Sequence, residues 1–255
     1  MSARIITSLT VAIALLLAGC ENKNERVLQG WVEADLVFVS PDEQGRLEVL
    51  KVREGDHVKK GDLLFSVDDD LQQADVVVRK TAVMNAQQTF DRAKELLKSG
   101  AGTQKAYDDA EAALRQAKAN LDSAQTRLTR REAHSPADGS IEQIYFRPGE
   151  TVPAGRPVVA LLPPGNLKIR FFVPQALLPE LTYGQKVLVS CDGCESDLTA
   201  NVSFIARSAE FTPPVIYSME ERAKLVFLVE ARPDHPEKFR VGQPVTVTLP
   251  DERKK

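Results

Sequence analysis

One short sequence motif occurs twice in this chain. REGDHVKKGD at 53–62 returns in altered form as RPGETVPAGR at 147–156. The positions that match in register within and around the two copies are glycine or aliphatic: Gly45 and Gly139, Leu50 and Ile144, Gly55 and Gly149, Val58 and Val152, Gly61 and Gly155. So many matches in one register indicate an internal repeat whose two copies are separated by a long charged insertion.

Each copy of the repeat has the pattern of short β-strands joined by tight turns. Apolar and polar residues alternate over 47–52, and a glycine follows where the chain must turn. Gly55 and Gly149 occupy turn positions where a positive φ is often required. Neither half can bury its apolar face alone, so the repeat predicts two halves packed into one sandwich. Two unrelated hairpins are the alternative, which the regular register disfavours.

The insertion has a helical period instead. Large and small apolar residues alternate at heptad a and d spacing, at Val83, Ala86, Phe90, Ala93 and Leu97, and then at Tyr107, Ala110, Leu114, Ala117, Leu121, Ala124 and Leu128. The pattern breaks at 99–102, and Thr103 can cap the second helix. An antiparallel helical hairpin of roughly 40 Å is predicted, at a rise of about 1.5 Å per residue. Two helices packed on some other core would need wider apolar faces than most of this stretch supplies.

The N-terminus has the features of an export signal. Residues 1–19 comprise a short positive head, an apolar run and small residues, and they are read as a signal peptide. The ending LAGC resembles the bacterial lipobox, which implies cleavage before Cys20 and acylation of that cysteine. Each methylene group that such an anchor buries in the membrane adds about 0.8 kcal/mol to the free energy of membrane binding. An ordinary signal peptide with a stray cysteine is the alternative. Glu21 resembles an inner-membrane retention signal and favours the inner membrane over the outer.

Export changes the interpretation of Cys191 and Cys194. In an oxidising compartment the sequence SCDGC favours a local disulfide, with Asp192–Gly193 as a two-residue hairpin turn between two strands. A lone CxxC lacks the further ligands that zinc requires. A thioredoxin-like role would need a helix starting at the motif, whereas the surrounding residues have a strand pattern. Two free thiols remain open as a second structural possibility.

Composition excludes several classes of function. The formal net charge is -3, which offers no general attraction to nucleic acid. The three histidines are far apart in sequence, and we expect no metal site, no catalytic residues and no cofactor beyond the lipid on Cys20. There is no GxxxxGK[ST] phosphate loop, so any energy source must belong to a partner.

The last third of the chain predicts a small antiparallel β-barrel. Strand patterns separated by turn residues cover 166–173, 185–189, 201–205, 224–231 and 243–249. A membrane-proximal domain, if present, would have to use 27–37. The fold class expected for the whole chain is therefore mainly β, with a split sandwich, an α-helical coiled-coil hairpin and a small barrel.

The two halves of the repeat, 45–68 and 135–162, resemble the halves of a biotinyl/lipoyl domain. Carrier proteins of that fold join the halves by a tight turn that presents a modified lysine, which is missing here, so a swinging-arm carrier is disfavoured. A coiled-coil hairpin inserted in a split lipoyl-like domain of an exported lipoprotein resembles the HlyD-type membrane fusion proteins. These are periplasmic adaptor subunits of tripartite efflux and secretion systems.

The resemblance implies partners and docking residues. In that family an arginine, a leucine and a serine near the hairpin tip dock a TolC-like outer-membrane channel. Arg92 and Leu96 fit this pattern, and Thr103 stands where the serine is expected. Residues 209–231 resemble the version that accompanies ABC-type exporters, and an adaptor of a proton-driven pump is the alternative. The family works as rings, commonly hexamers, and its members are not enzymes.

These interpretations divide the chain into six parts. The signal peptide is 1–19, a lipid-anchored linker with a first strand is 20–38, the lipoyl-like domain is 39–67 with 135–163, the hairpin is 68–134, the barrel is 164–250 and the tail is 251–255.

A thiol oxidoreductase is a further competing function, and it would require turnover that depends on Cys191.

Overall fold

The computed structural model describes residues 26–211 and 225–250, without the side chains of Glu210 and Phe211. The predicted signal peptide, Cys20, the tail at 251–255 and most of the segment likened to ABC-associated adaptors lie outside these residues. The chain divides into two compact units, one of Leu36–Pro164 and one of Met1–Asp35 with Gly165–Lys255. Among the described residues, no helix combines the length and apolar character needed to cross a membrane.

The described residues form fifteen strands and two long helices. They are β1 (Val27–Ala34), β2 (Val37–Val39), β3 (Gly45–Leu50), β4 (His57–Val58), β5 (Leu63–Val67), α1 (Asp70–Lys98), α2 (Gln104–Thr129), β6 (Glu132–His134), β7 (Gly139–Ile144), β8 (Thr151–Val152), β9 (Val159–Leu162), β10 (Leu167–Pro174), β11 (Lys186–Ser190), β12 (Leu198–Ile205), β13 (Glu210–Phe211), β14 (Leu225–Pro233) and β15 (Pro244–Thr248). The predicted fold class, mainly β with a split sandwich, a helical hairpin and a small barrel, is confirmed.

The sandwich in the first unit is built by exchange between the two copies of the repeat. One sheet has the order β2-β9-β7-β4 and the other β6-β5-β3-β8. The short strand β4 from the first copy pairs with β7 of the second, and β8 from the second copy pairs with β3 of the first. Each copy therefore completes the sheet of the other.

The backbone at the turns repeats this exchange with the same geometry. The amide of Gly55 donates to the carbonyl of Ile141 at 2.7 Å, and the amide of Gly149 donates to the carbonyl of Leu47 at 2.7 Å. Both glycines have a positive φ, of 90° and 96°. A side chain would strain either turn, which explains why glycine stands at this place in both copies.

The sandwich core consists of matching residues from the two copies. Corresponding aliphatic pairs are fully or almost fully buried: Leu47 with Ile141, Val58 with Val152, Leu64 with Val158, and Val67 with Leu161. Because each pair places one residue from either half in a common core, burial favours association of the halves. The two-half sandwich expected from the repeat is thus present, and the alternative of unrelated hairpins is not.

The second unit contains a closed six-stranded antiparallel barrel. The strand order is β10-β1-β15-β11-β12-β14, the pairing of β10 with β14 closes it, and β13 extends β14 at one edge. Along β10, buried and partly exposed residues alternate strictly, so one face of the strand lines the barrel core. Five of the six barrel strands correspond to the sequence prediction.

The sixth barrel strand corrects an expectation. Residues 20–38 were expected to hold a linker and a first strand, and 27–37 to be the segment that a membrane-proximal domain would use. The expected strand is β1, but it inserts between β10 and β15 and so belongs to the barrel. An ion-pair row ties this strand in place: Arg170 of β10 contacts Glu33 at 2.7 Å, and Lys168 contacts Asp35 at 3.0 Å and Glu230 at 3.3 Å. Burial opposes the charge on Lys168, but the hydrogen bonds and charges of Asp35 and Glu230 outweigh it and raise the pKa of Lys168.

The boundary of the predicted hairpin also differs. Residues 132–134, assigned to the hairpin, form β6 and pair with β5 in the sandwich. Helix α2 ends at Thr129 because the chain turns back towards the sandwich at Arg131. The carbonyl of Arg131 accepts a hydrogen bond from the amide of Val67 at 3.0 Å.

Candidate functional site at the hairpin tip

The helical hairpin has the predicted seam. On α1 the residues at the heptad positions are half-buried, and on α2 they are half-buried or buried, with Ala110, Leu114 and Ala124 most deeply enclosed. Near the tip, Phe90 and Tyr107 pack across the seam with ring centroids 5.3 Å apart. The large and small residues therefore interlock as the alternation predicted, and the two helices bury mainly against each other.

The tip is a tight turn in which one backbone carbonyl accepts several hydrogen bonds. The carbonyl of Leu96 accepts hydrogen bonds from the amides of Ala101 and Gly102, each at 2.9 Å, and from the Ser99 hydroxyl at 3.0 Å. Thr103 caps α2 as predicted, because its hydroxyl accepts from the amide of Ala106 at 3.2 Å. These contacts satisfy backbone groups at both helix ends and hold the end of α1 against the start of α2.

The structure brings the three predicted docking residues to this turn. Arg92, Leu96 and Thr103 are exposed, and the Leu96 side chain retains 45% of its accessible surface. Arg92 and Leu96 are one helical turn apart on the same side of α1, and Leu97 occupies the seam instead. Among the residues described, none forms an ion pair or hydrogen bond with the Arg92 side chain. The tip thus presents guanidinium donors and uncovered apolar surface together.

At the opposite end of the hairpin lies a residue that the sequence reasoning missed. Arg131 is buried, with 8% of its surface exposed. Its guanidinium donates to the carbonyl of Gln44 at 3.1 Å and, with the Gln72 amide in its hydrogen-bonding orientation, to the Gln72 oxygen at 3.1 and 3.3 Å. No described carboxylate pairs with it. Arg131 therefore joins α1, α2 and the sandwich through neutral oxygens, at the base from which the hairpin extends.

No sequence signal could have identified Arg131. It follows Arg130, which forms an ordinary exposed ion pair with Asp42 at 3.4 Å, and two adjacent arginines after a helix are normally both solvated. Arg131 differs from Arg130 only because the folded chain places it close to β3 and α1.

The barrel cysteines are joined to each other. Cys191 and Cys194 form a disulfide with their Cα atoms 5.3 Å apart, and the amide of Cys194 donates to the carbonyl of Cys191 at 3.1 Å. Both lie in the connection after β11, beyond the last paired residues Val189 and Leu198, and so not opposite each other on two strands as expected. Within the described residues, no group of three or more His, Cys, Asp or Glu side chains could hold a metal ion.

Replacing Cys191 and Cys194 together with serine is expected to leave export unchanged. A disulfide that closes so short a loop contributes at most about 2 kcal/mol to the free energy of unfolding. Thermal unfolding of the purified protein and an export assay in the same strain would measure both effects. A null export phenotype in a folded double variant would show that the pair has a functional role.

The family of the chain follows from comparison with known proteins. Residues 35–162, just over half of the chain, match a family model described as "RND MFP, barrel-sandwich hybrid domain". This range begins just before β2 and ends with β9, so it comprises the whole sandwich and the inserted hairpin.

Similar sequences come from several bacteria. A UPF0194 membrane protein from the asrC 5' region of Acidithiobacillus ferridurans is 28% identical, over 88% of this chain and 86% of the relative. The 36 kDa antigen of Helicobacter pylori is 25% identical, over 88% of either chain. The antibiotic efflux pump periplasmic linker protein ArpA of Pseudomonas putida is 27% identical over 57% of this chain, which spans 46% of the linker's own length.

Solved structures share the fold. A MacA-MexA chimeric protein that contains the Pseudomonas aeruginosa MexA α-hairpin domain superimposes with a TM-score of 0.69 at 23% identity, over 88% of this chain and 82% of the chimera. The membrane fusion protein Spr0693 of Streptococcus pneumoniae R6 gives 0.67 at 18% identity, over 89% and 99%. With the family model covering the sandwich and hairpin, this chain belongs to the membrane fusion protein family, whose members act as periplasmic adaptors in efflux.

Proposed function

We propose that this chain links an inner-membrane exporter to a TolC-like outer-membrane channel for efflux or secretion, with no chemistry of its own. The observation that carries the proposal is the exposed hairpin tip, where Arg92 and Leu96 lie on one side of α1 and no residue that the structure describes pairs with the Arg92 guanidinium. A guanidinium suits carbonyl oxygens at a channel mouth, and an exposed leucine gains from being covered.

A carrier function is disfavoured by how the two sandwich halves connect. In this chain α1 and α2 run between β5 and β6, in the place where a carrier would have a short turn bearing a modified lysine. Mass spectrometry of the purified protein is expected to show no lysine-linked biotin or lipoyl group.

For the exporter we propose an ABC-type permease with its ATPase. The support is the resemblance of 209–231 to adaptors that accompany such exporters, although 212–224 lie outside the described residues. A proton-driven exporter is the second candidate. It is favoured by the RND description of the matching family model and by the efflux pump linker among the relatives.

Affinity purification from cross-linked membranes of the native host tests the proposed function and separates the two exporter classes. An inner-membrane permease, an ATP-binding subunit and an outer-membrane channel are the expected co-purified proteins. A permease with proton-coupled transport and no ATP-binding subunit would support the second candidate. Recovery of neither an exporter nor a channel would contradict the adaptor function itself.

We further propose that acyl chains on Cys20 hold the protein at the periplasmic side of the inner membrane, with Glu21 as the retention signal. Cys20→Ala is expected to abolish labelling of the protein by radioactive palmitate, because the acylated thiol is gone. Sucrose-gradient fractionation would place the wild-type protein in the inner-membrane fraction. Palmitate labelling of the variant would contradict the assignment of Cys20, and an outer-membrane location would contradict that of Glu21.

A further inference from the structure

The closed barrel has two ends that carry different connections. At one end, which we call the anchor end, lie the start of β1, the end of β15 and the connections 175–185 and 206–224. At the opposite end lie the connections 191–197 and 234–243. The antiparallel pairing of the six strands fixes this division, because each connection joins two strand ends on the same side of the barrel.

The anchor end is the part of the barrel nearest in sequence to the proposed lipid on Cys20. Arg26 lies six positions after Cys20, and six residues span at most about 22 Å when fully extended. The Arg26 guanidinium contacts Glu180 at 3.1 Å and the carbonyl of Pro250 at 3.3 Å. Its own carbonyl accepts from the amide of Leu249 at 3.1 Å. Since Arg26 is fixed to the anchor end, acyl chains on Cys20 hold that end within roughly 22 Å of the membrane surface.

The connection 175–185 presents a nearly uncharged surface at the anchor end. Its sequence is QALLPELTYGQ, and its one charged side chain, Glu180, is the ion-pair partner of Arg26. Leu177 and Leu178 are half-buried. Tyr183, in a tight turn of this connection, keeps 78% of its surface exposed. The connection therefore offers an exposed aromatic ring beside partly covered leucines.

The backbone of this connection satisfies many of its own hydrogen bonds. The amides of Glu180 and Leu181 donate to carbonyls of the same connection at 3.0 and 3.1 Å. The amide of Gly184 donates to the carbonyl of Val202 at 2.8 Å. Backbone groups paired in this way can enter a poorly hydrated layer without the cost of an unpaired donor.

The opposite end of the barrel has a different charge. Its two connections contain five acidic residues and two basic ones: Asp192, Glu195, Asp197, Asp234 and Glu237 against Lys238 and Arg240. At the anchor end, Arg26 and Arg207 balance Glu180 and Glu210 among the described residues. An anionic lipid surface repels the excess of negative charge at the opposite end, whereas the anchor end carries no such excess.

We infer that the connection 175–185 lies in the lipid headgroup layer of the membrane that holds the anchor, with Tyr183 as an interfacial side chain. A tyrosine suits this layer because its ring is apolar while its hydroxyl stays hydrated. Leu177 and Leu178 add apolar area beside the ring. The acyl chains alone set a maximum distance between barrel and membrane, and this second contact fixes which end of the barrel meets the lipid.

This inference rests on the proposed function, and within it on the acylation of Cys20, and it adds a lipid contact made by the barrel itself. The inner-membrane exporter is the other partner that could cover Tyr183. Vesicles that contain neither exporter nor channel separate the two partners, because only the lipid contact can form in them.

Fluorescence quenching tests the contact with the full acylated chain, reconstituted into vesicles of phosphatidylethanolamine and phosphatidylglycerol. Thr182→Cys, next to Tyr183, and Val241→Cys, at a residue 50% exposed at the opposite end, each introduce one free thiol, since Cys191 and Cys194 are joined to each other. The thiol carries an environment-sensitive fluorophore, and spin-labelled headgroups act as the quencher. Most of the fluorescence is expected to be lost from Thr182→Cys and none from Val241→Cys. Equal quenching at both sites, or none at Thr182→Cys, would overturn the inference.

A charge introduced into the connection separates a true contact from the effect of the short tether. Tyr183→Asp combined with the labelled Thr182→Cys is expected to lose most of the quenching, because a carboxylate is costly to move out of water. Val241→Asp is the matched control, since it places the same charge on an exposed apolar residue of the opposite end and should leave the quenching unchanged. Full quenching in Tyr183→Asp, or an equal loss in Val241→Asp, would also overturn the inference.

Two further outcomes would overturn the inference and leave the adaptor function intact. A label at Thr182→Cys that is unquenched in vesicles but becomes shielded when the co-purified exporter is added would mean that the exporter covers the connection. Failure of the wild-type chain to float with the vesicles would remove the lipid anchor and the limit on distance that depends on it. Co-purification with exporter and channel would support the adaptor function in either case.

Discussion

Arg92→Asp and Leu96→Asp are each expected to abolish co-purification of the outer-membrane channel and export, with the protein still folded. Both side chains are exposed, and the hydrogen bonds at the tip use the backbone carbonyl of Leu96. A negative charge near the end of a helix and loss of surface contacts cost less than about 1 kcal/mol in the free energy of unfolding. We therefore expect these variants to lose channel binding while their free energy of unfolding stays close to that of the wild type.

Lys94→Asp is the matched control for Arg92→Asp. It makes the same change of charge within the same turn of α1, on an exposed residue that points in a different direction. Channel pull-down, an export assay and thermal unfolding followed by circular dichroism would be measured for all three variants. Wild-type channel binding by the tip variants, or equal loss in Lys94→Asp, would show that Arg92 and Leu96 are ordinary helix surface.

Leu114→Asp is expected to separate the two helices and abolish export. Leu114 is the most enclosed leucine of α2, with 6% of its surface exposed. A carboxylate in its place loses the packing of a large side chain and buries a charge with no partner in an apolar seam, at a cost of at least about 3 kcal/mol. The hairpin has few contacts beyond its seam, so a loss of this size is sufficient to unfold it.

The β-strand units are expected to remain folded in Leu114→Asp, because their cores contain no residue from the helical seam. Limited proteolysis should cut within 70–129 and spare the sandwich and barrel. Leu114→Met keeps the volume and should cost less than about 1.5 kcal/mol. Lys118→Asp, exposed on the next turn, should leave helicity and export unchanged. Wild-type export by a Leu114→Asp protein with an unfolded hairpin would show that the hairpin is dispensable for transport.

The exchange of β4 and β8 between the two sheets affects how the base of the helical hairpin is attached to the sandwich. Because each half of the repeat completes the other half's sheet, the two strands that flank the hairpin, β5 and β6, are paired in one sheet. Arg131 adds a buried contact between this sheet and the start of α1. The base of the hairpin is thus fixed by the sandwich, and a tip mounted on it can present Arg92 and Leu96 in a defined direction.

Local patterns in the sequence were sufficient for the elements that depend on near neighbours. The heptad alternation identified the seam residues from Val83 to Leu128, because side chains three and four positions apart share one face of a helix whatever the rest of the chain does. Gly55 and Gly149 marked equivalent turns, since a positive φ is a property of one residue. The exposed placement of Leu96 beside the seam residue Leu97 followed from the same helical period.

Tertiary structure alone decided which distant segments meet. Nothing within 27–34 shows that this strand inserts between β10 and β15; an alternating strand can pair with any free edge, and only closure of the barrel leaves one for it. Arg131 differs from Arg130 in sequence by nothing but position, and its burial arises where β3 and α1 converge on it. Periodicity identifies the face on which a residue lies, but the contacts of that face depend on long-range packing.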